Sequence, residues 1–337
     1  MAAFTKAARD SVKLAFVAPS AFARPIEPRL RRTAFTATGA ALASVAGDLD
    51  ATAAQATQSL GSLGAALAKV NDGLARTQAG TGAAAGLADQ RDQLLEQMSA
   101  IVDVNVTTDS VGRATVKIGG DSGPVLVAGG EAGSVAYERS ATGQASFAVV
   151  RAGTVAAMTP SGGALAGIVD GAQRIADATA ALDDIATSFT SQVNAVQGQG
   201  RDLDGKPGSA IFATGATPLD IGVVLTDPRG IAAAAANGSA RDSSNLTALQ
   251  AVRVSGGFES GTTGLISTNA TALSQRKIVA DAQSSIRAGA VTARDGVSGV
   301  SLDTEAVDLM RFQQAYQASS RIIQVARENF QSILQIQ

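Results

Sequence analysis

The sequence predicts a mainly α fold with a small β domain, in which long coiled-coil-like helices form a bundle and an antiparallel β-unit is inserted between them. Three observations predict it. Apolar residues recur every seven positions in three separate stretches, the spacing of packed helices. Between residues 102 and 160 the period falls towards two, with glycine-rich breaks. The composition, 69 Ala among 337 residues with 4% aromatics and no Trp, suits close helix–helix packing better than a deep ligand pocket.

Residues 1–35 read as a divergent basic arm without fixed structure. Lys6, Arg9, Lys13, Arg24, Arg29, Arg31 and Arg32 face only Asp10 and Glu27, so this end carries +5 and the rest of the chain −7 of the net −2. Residues 14–23 loosely imitate a cleavable signal peptide, but Pro19 interrupts the apolar run. The arm is the preferred reading.

Residues 36–101 form the first part of a helical domain. Leu42, Leu49, Ala56, Leu63 and Val70 stand seven apart, and Ala46, Ala53, Leu60, Leu67 and Leu74 follow four residues after each. Two such rows make a coiled-coil-like seam. Gly39, Gly47, Gly61, Gly64 and Gly73 lie inside it, each costing roughly 1 kcal/mol relative to Ala, so this helix needs a partner. The Gly/Ala stretch 79–86 breaks it, and a second helix follows with Leu87, Leu94, Leu95, Met98 and Ile101 on one face.

Residues 102–160 read as the β-rich domain. Val102, Val104 and Val106 alternate with polar residues, and short apolar runs at 125–127, 135–137 and 147–150 are separated by glycines. Residues 161–298 form the second part of the helical domain, with turns. Ile168, Ile175, Leu182, Phe189 and Val196 again repeat every seven positions. The stretch 201–265 reads mostly as turns, and 270–293 as a helix with Leu273, Val279, Ala282 and Ile286 inward.

Residues 299–337 read as a C-terminal coiled-coil helix. Ser301 is a plausible N-cap, and Asp303 and Glu305 occupy the first turn, where the helix dipole favours acids. Leu302, Leu309, Tyr316, Ile323 and Phe330 repeat every seven residues, with Phe312, Ala326 and Ile333 beside them. Burying each large member is worth about 1.5–3 kcal/mol. This stripe must pack on something, and a lone molecule is expected to leave 300–337 unfolded.

Composition narrows the chemistry. Cys and His are absent, which removes thiol nucleophiles, disulfides, Cys/His metal sites and imidazole catalysis. The near-neutral balance gives no field for nucleic acid or an anionic membrane, and no apolar run is long enough to span a bilayer. Asp202-Leu203-Asp204-Gly205 has the look of a Ca²⁺ loop, but the later ligands are missing and an Asx turn explains it. The pairs Gly119-Gly120, Gly129-Gly130 and Gly162-Gly163 lack the Lys-Ser ending of a phosphate loop. Asp183-Asp184 reads as a solvated helix face, and Tyr316 as a packed aromatic with a wet hydroxyl. No enzyme activity, metal or cofactor is expected.

The long seams admit two readings. In one, 36–78, 166–197 and 302–335 cover one another within a single chain. In the other, the terminal seam meets other subunits. Gln313, Gln314, Gln317, Gln324, Gln331, Gln335 and Gln337 surround its stripe with uncharged groups rather than the charges of a solvent face, which favours contacts between subunits.

The run from Gly299 to Ala318, Gly-Val-Ser-Leu-Asp-Thr-Glu-Ala-Val-Asp-Leu-Met-Arg-Phe-Gln-Gln-Ala-Tyr-Gln-Ala, resembles the C-terminal signature of bacterial flagellar rod, hook and hook-associated proteins. Leu87–Met98, Gly200–Gly208 and Asp227–Ala234 resemble successive segments of the hook-associated protein 1 family within that group, in the same order. The resemblance spans about 36–337. It implies a structural subunit of the bacterial flagellum at the hook–filament junction, secreted through type III export and assembled outside the cell. It further implies self-assembly, contacts with hook protein and the adjacent junction protein, and an export chaperone on the C-terminal region. The packing positions it implies are Leu302, Leu309, Phe312, Tyr316, Ile323, Ala326, Phe330 and Ile333. Residues 1–28 depart from the family pattern, showing neither its N-terminal helix nor its Ser/Asn-rich stretch. The competing reading is a cell-surface binding module for a polysaccharide or for adhesion, built on the same scaffold through 102–160. Only Tyr137 and Phe147 supply aromatic rings there, which argues against sugar stacking.

Overall fold

The computed structural model describes residues 28–217, 219–239, 241–298 and 302–334, apart from the side chains of 28–34, 297–298, 302 and 329–334. The basic arm through residue 27 and the proposed cap Ser301 lie outside the described residues. The chain divides into two compact units, one ending at Ser267 and one beginning at Thr268.

In the first unit, α1 (Pro28–Arg76) is a single helix of 49 residues. It takes in 28–35, where the sequence reading placed an unstructured arm. Phe35 explains the correction, because it is buried against the Phe189 ring at 6.0 Å and gives this turn an apolar anchor. The break after α1 is shorter than the Gly/Ala stretch suggests. Helix α2 (Gly82–Ile101) already begins inside it, where the Thr81 hydroxyl accepts from the Ala84 N–H and satisfies one orphan donor of the first turn.

Seven strands follow: β1 (Val104–Thr108), β2 (Ala114–Ile118), β3 (Val125–Ala128), β4 (Glu131–Ala132), β5 (Ser134–Arg139), β6 (Ala145–Arg151) and β7 (Thr154–Met158). They make an antiparallel sheet β1-β2-β3-β4 and a second one, β5-β6-β7. Ala152 and Gly153, both at positive φ (48° and 76°), join β6 to β7 as the two-residue turn whose twist matches that of the paired strands. Val116, Ile118, Leu126, Val127, Phe147 and Val149 of these strands are buried with Leu60, Leu67, Met98 and Leu165 in one core.

The long α3 (Gly163–Gln199) then packs back on α1. After it come short pairs, β8 (Gly200–Arg201) with β11 (Ala234–Ala235) and β9 (Phe212–Thr214) with β10 (Ile221–Val223). The β9–β10 pair brings Phe212 and Ile221 into a second core with Phe35, Leu182, Phe189 and Phe258. Leu219 enters it through a gap at Gly39, where a Cβ would lie 2.9 Å from a Leu219 methyl. The stretch 201–265 is more helical than its turn signals suggest, since it holds α4 (Ser244–Ser255) and the start of α5 (Phe258–Ser298). Four side-chain amides, from Asn71, Asn194, Gln197 and Asn245, hydrogen-bond to strand and loop backbone beside the long helices. Asn194 accepts from the N–H groups of Ile211 and Phe212 and donates to the Phe212 carbonyl. Gln197 donates to Gly230 and accepts from Ala232.

The second unit consists of the remainder of α5 and of α6 (Leu302–Leu334). The sequence reading expected α6 to unfold without a partner, and the structure has it helical. Its 33 residues exceed the roughly 12–15 below which isolated helices are marginal, and it is rich in Ala, Gln, Arg and Leu, good helix formers. The sequence reading also turned Leu273, Val279, Ala282 and Ile286 inward. They are exposed instead.

Candidate assembly surface

Helix α6 begins with Asp303 and Glu305 in its first turn, where the unpaired N–H groups and the helix dipole favour negative charge. At 1.5 Å per residue its 33 residues run about 50 Å. Leu309, Phe312, Tyr316 and Ile323 are spaced by three, four and seven residues, so they project from one side as a continuous ridge. That ridge is open to solvent. Phe312 is 71% exposed, Tyr316 74% and Ile323 60%, and Leu309 and Ala326 are exposed beside them. Leu302, Phe330 and Ile333 continue the row on the same helix, but their side chains lie outside the described residues. Gln313, Gln314, Gln317 and Gln324 are exposed along it. Of the two readings of the long seams, 36–78 and 166–197 do cover each other, as α1 on α3. The described side chains of 303–328 are exposed apart from Asp308 and Ser320, which are half-buried.

A second apolar line on α6 escaped the sequence reading. Val307, Met310, Ile322 and Val325 are also exposed. Val307 and Val325 are eighteen residues apart, about five full turns at 3.6 residues each, and therefore share one azimuth roughly opposite the ridge. The signal was present in the sequence but sparse, with two valines and no heptad. An apolar line on each side means that one partner helix cannot cover the whole surface.

The β-unit is held on α1 by a polar junction. The Tyr137 hydroxyl and Arg139 Nε both reach Asp50 Oδ1, at 2.5 and 2.8 Å, and Arg139 Nη2 donates to the Ala46 carbonyl at 2.9 Å. Burial, followed by the bond to Asp50, pushes the Tyr137 hydroxyl above its ordinary value. The Tyr137 ring packs on Phe147 at 5.2 Å. Below this junction Asn71 is fully buried, donating from Nδ2 to the Ala114 and Gly129 carbonyls and accepting at Oδ1 from the Ala114 N–H, each at 2.8 Å. The sequence reading named neither Asp50 nor Asn71 as a fastener. Asn71 had a signal, since it stands four residues after Leu67 and thus on the covered side of α1.

The remaining candidates resolve simply. Asp202 Oδ1 accepts from the N–H groups of Asp204 and Lys206, and Asp204 pairs with Arg229, so the would-be Ca²⁺ loop is a turn stapled to the next segment. Among the described residues no cluster of three or more acidic groups is placed to hold a metal ion, and no helix is long and apolar enough to cross a membrane. Asp183 corrects the solvated-face reading. It is half-buried beside Leu219, one of its oxygens has no hydrogen-bond partner among the described residues, and burial, with the neighbouring charge of Asp184, raises its carboxyl above the usual carboxylate range.

Comparison with known proteins bears on this surface. The flagellar basal body rod FlgEFG protein C-terminal family matches residues 296–336, which contain the ridge. No curated protein matches the chain. Among solved structures, the flagellar hook junction protein FlgK from Burkholderia pseudomallei is similar at 24% identity, over 63% of this chain and 41% of that one, with a TM-score of 0.43. The chain thus spans less than half the length of that relative. The flagellar hook-associated protein FlgK helical domain matches residues 32–212, more than half of the 337 residues, and the chain belongs to that flagellar family.

Proposed function

We propose that this chain is a structural subunit of the bacterial flagellum at the hook–filament junction, and that it assembles through α6. The exposed ridge of Leu309, Phe312, Tyr316 and Ile323, on a chain of this family, is the observation that carries the reading. Burying Leu309, Phe312 and Ile323 alone is worth about 1.5–3 kcal/mol each, which a lone chain forgoes and a neighbour recovers. The second line through Val307 and Val325 supports packing among several helices, as in a tube wall. Leu302, Ala326, Phe330 and Ile333 extend the same contact towards both ends of the helix. On this reading the protein is exported, works outside the cell, touches hook protein and the adjacent junction protein, and meets an export chaperone at its C-terminal region. Its role is mechanical rather than catalytic.

Deleting residues 300–337 tests this. The full chain should sediment as concentration-dependent oligomers and incorporate at the hook tip of cells lacking their own junction protein, and the shortened chain should do neither while keeping its β-sheet circular dichroism. Normal incorporation of the shortened chain would overturn the reading.

A further inference from the structure

Strand β7 is the outer strand of the sheet β5-β6-β7, and it lacks the devices that usually protect an edge. Thr154-Val155-Ala156-Ala157-Met158 holds no charge and no proline, whereas natural edges are commonly blunted by Lys, Pro or a bulge. Val155 is 67% exposed, and Thr154 and Ala157 are exposed with it.

The register fixes which backbone groups are free. The two-residue turn at Ala152-Gly153 makes Arg151 and Thr154 a hydrogen-bonded pair, and such pairs alternate along an antiparallel ladder. Val149–Ala156 and Phe147–Met158 are therefore bonded inward, while Val150–Val155 and Ala148–Ala157 are not. The N–H and C=O groups of Val155 and Ala157 point away from β6. Among the described residues they make no backbone bond outside the sheet.

We propose that this edge pairs with the same edge of a second copy, antiparallel and centred on Ala156. Free peptide groups in a row are satisfied by another extended strand. A strand centred on Ala156 is complementary to itself, since Val155 then exchanges two hydrogen bonds with Ala157 of the second copy, and Ala157 two with its Val155. Ala156 meets its own counterpart as a non-bonded pair, the close kind, where two methyl groups fit. Charge permits it as well. The nearest ionic group on the neighbouring strand, Arg151, is paired with Glu131 at 3.2 Å, and Glu138 lies on the far strand β5, so no like charges are brought together. The outward faces would join into one small-residue surface of Ala148, Val150, Val155 and Ala157. The contact is two-fold and closes at a dimer, and it does not depend on α6.

The chain has no cysteine, so a single introduced thiol reports the contact. In Ala156→Cys the two Cα atoms of a centred pair would stand about 4.5 Å apart, within disulfide reach. The measurement is made on the full chain carrying Phe312→Glu, which suppresses association through the ridge. Under mild oxidation Ala156→Cys should run as a covalent dimer on non-reducing gels, while Thr142→Cys, at the exposed β5–β6 turn, should stay monomeric. Adding Val155→Lys should abolish the dimer with circular dichroism unchanged. Equal cross-linking at positions 142 and 156, or none at 156, would overturn the proposal and leave the reading of α6 untouched.

Discussion

The phenol of Tyr137 donates a 2.5 Å hydrogen bond to the carboxylate of Asp50, 87 positions away in sequence. Together with Arg139 it fixes the second sheet to the middle of α1. Tyr137→Phe removes one bond and keeps the Arg139 pair, and should cost about 0.5–1.5 kcal/mol. Asp50→Ala strands both donors and should cost more, about 1.5–3 kcal/mol. Urea unfolding of the two variants checks the order. Equal losses would mean that Asp50 acts only through Tyr137.

The same hydroxyl makes an alkaline prediction. Its folded pKa lies above the ordinary 10.0, through burial first and Asp50 second. A raised value favours the protonated form in the fold, so its contribution is complete below pH 10 and is lost as pH rises through the folded value. Tyr137→Phe should therefore show a weaker loss of stability above about pH 10 than the parent. Melting temperatures across that range decide it.

Asn71 satisfies three backbone groups of the first sheet from inside α1. Asn71→Ala leaves them buried without partners, and should lower the unfolding free energy by roughly 2–5 kcal/mol. Asn71→Asp should also destabilise at neutral pH, because it keeps the acceptor and loses the donors. Thermal melts of the two variants measure both effects.

Two carboxylates should respond to acid in opposite directions. Burial pulls the Asp103 carboxyl upward, but the Ser161 hydroxyl at 2.8 Å and the N–H groups of Ser161 and Gly162 outweigh it and hold the group below 3.8. Its contribution is present above the unfolded value and lost as pH falls through the folded one. Asp183 is raised by burial and then by Asp184, so its folded state is favoured below the unfolded value and weakened as pH rises through the folded one. Asp183→Asn should stabilise at pH 7 with a gain that fades towards pH 3, and Asp103→Asn should destabilise at pH 7 with a loss that fades likewise. Parallel pH–stability curves for the two variants would refute this assignment.

On the ridge, Phe312→Ala and Ile323→Ala should change monomer stability by less than about 0.5 kcal/mol, as exposed positions do. Each should nevertheless weaken self-association by about 2 kcal/mol or more if it fills a desolvated contact. Sedimentation equilibrium beside urea unfolding separates the two. A large loss of monomer stability would mean that the ridge is covered within its own chain.

Local periodicity made much of the molecule legible. The heptads of α1, α3 and α6 and the alternation of the β-unit are short-range patterns, and a helix or strand writes its buried side into its own spacing. The 12 residues of α4 were missed because that helix is anchored by one leucine and a buried amide, Leu249 and Asn245, too little for a period. The arm at 28–35 was misread because Arg29, Arg31 and Arg32 outweigh a single Phe35, whose partner Phe189 lies 154 positions later.

What the sequence determined by itself was the long helices and the β-unit, the absence of thiol and imidazole chemistry, and the apolar row along the last helix. Tertiary structure decided which rows find cover. Residues 36–78 and 166–197 pack on each other, and the described members of the row on α6, Leu309, Phe312, Tyr316 and Ile323, are exposed. It alone placed Tyr137 on Asp50, Asn71 under the first sheet and β7 at an open edge. Spacing along a chain encodes which side of an element is apolar, but whether that side meets a partner depends on chain closure across many residues, which no local pattern records.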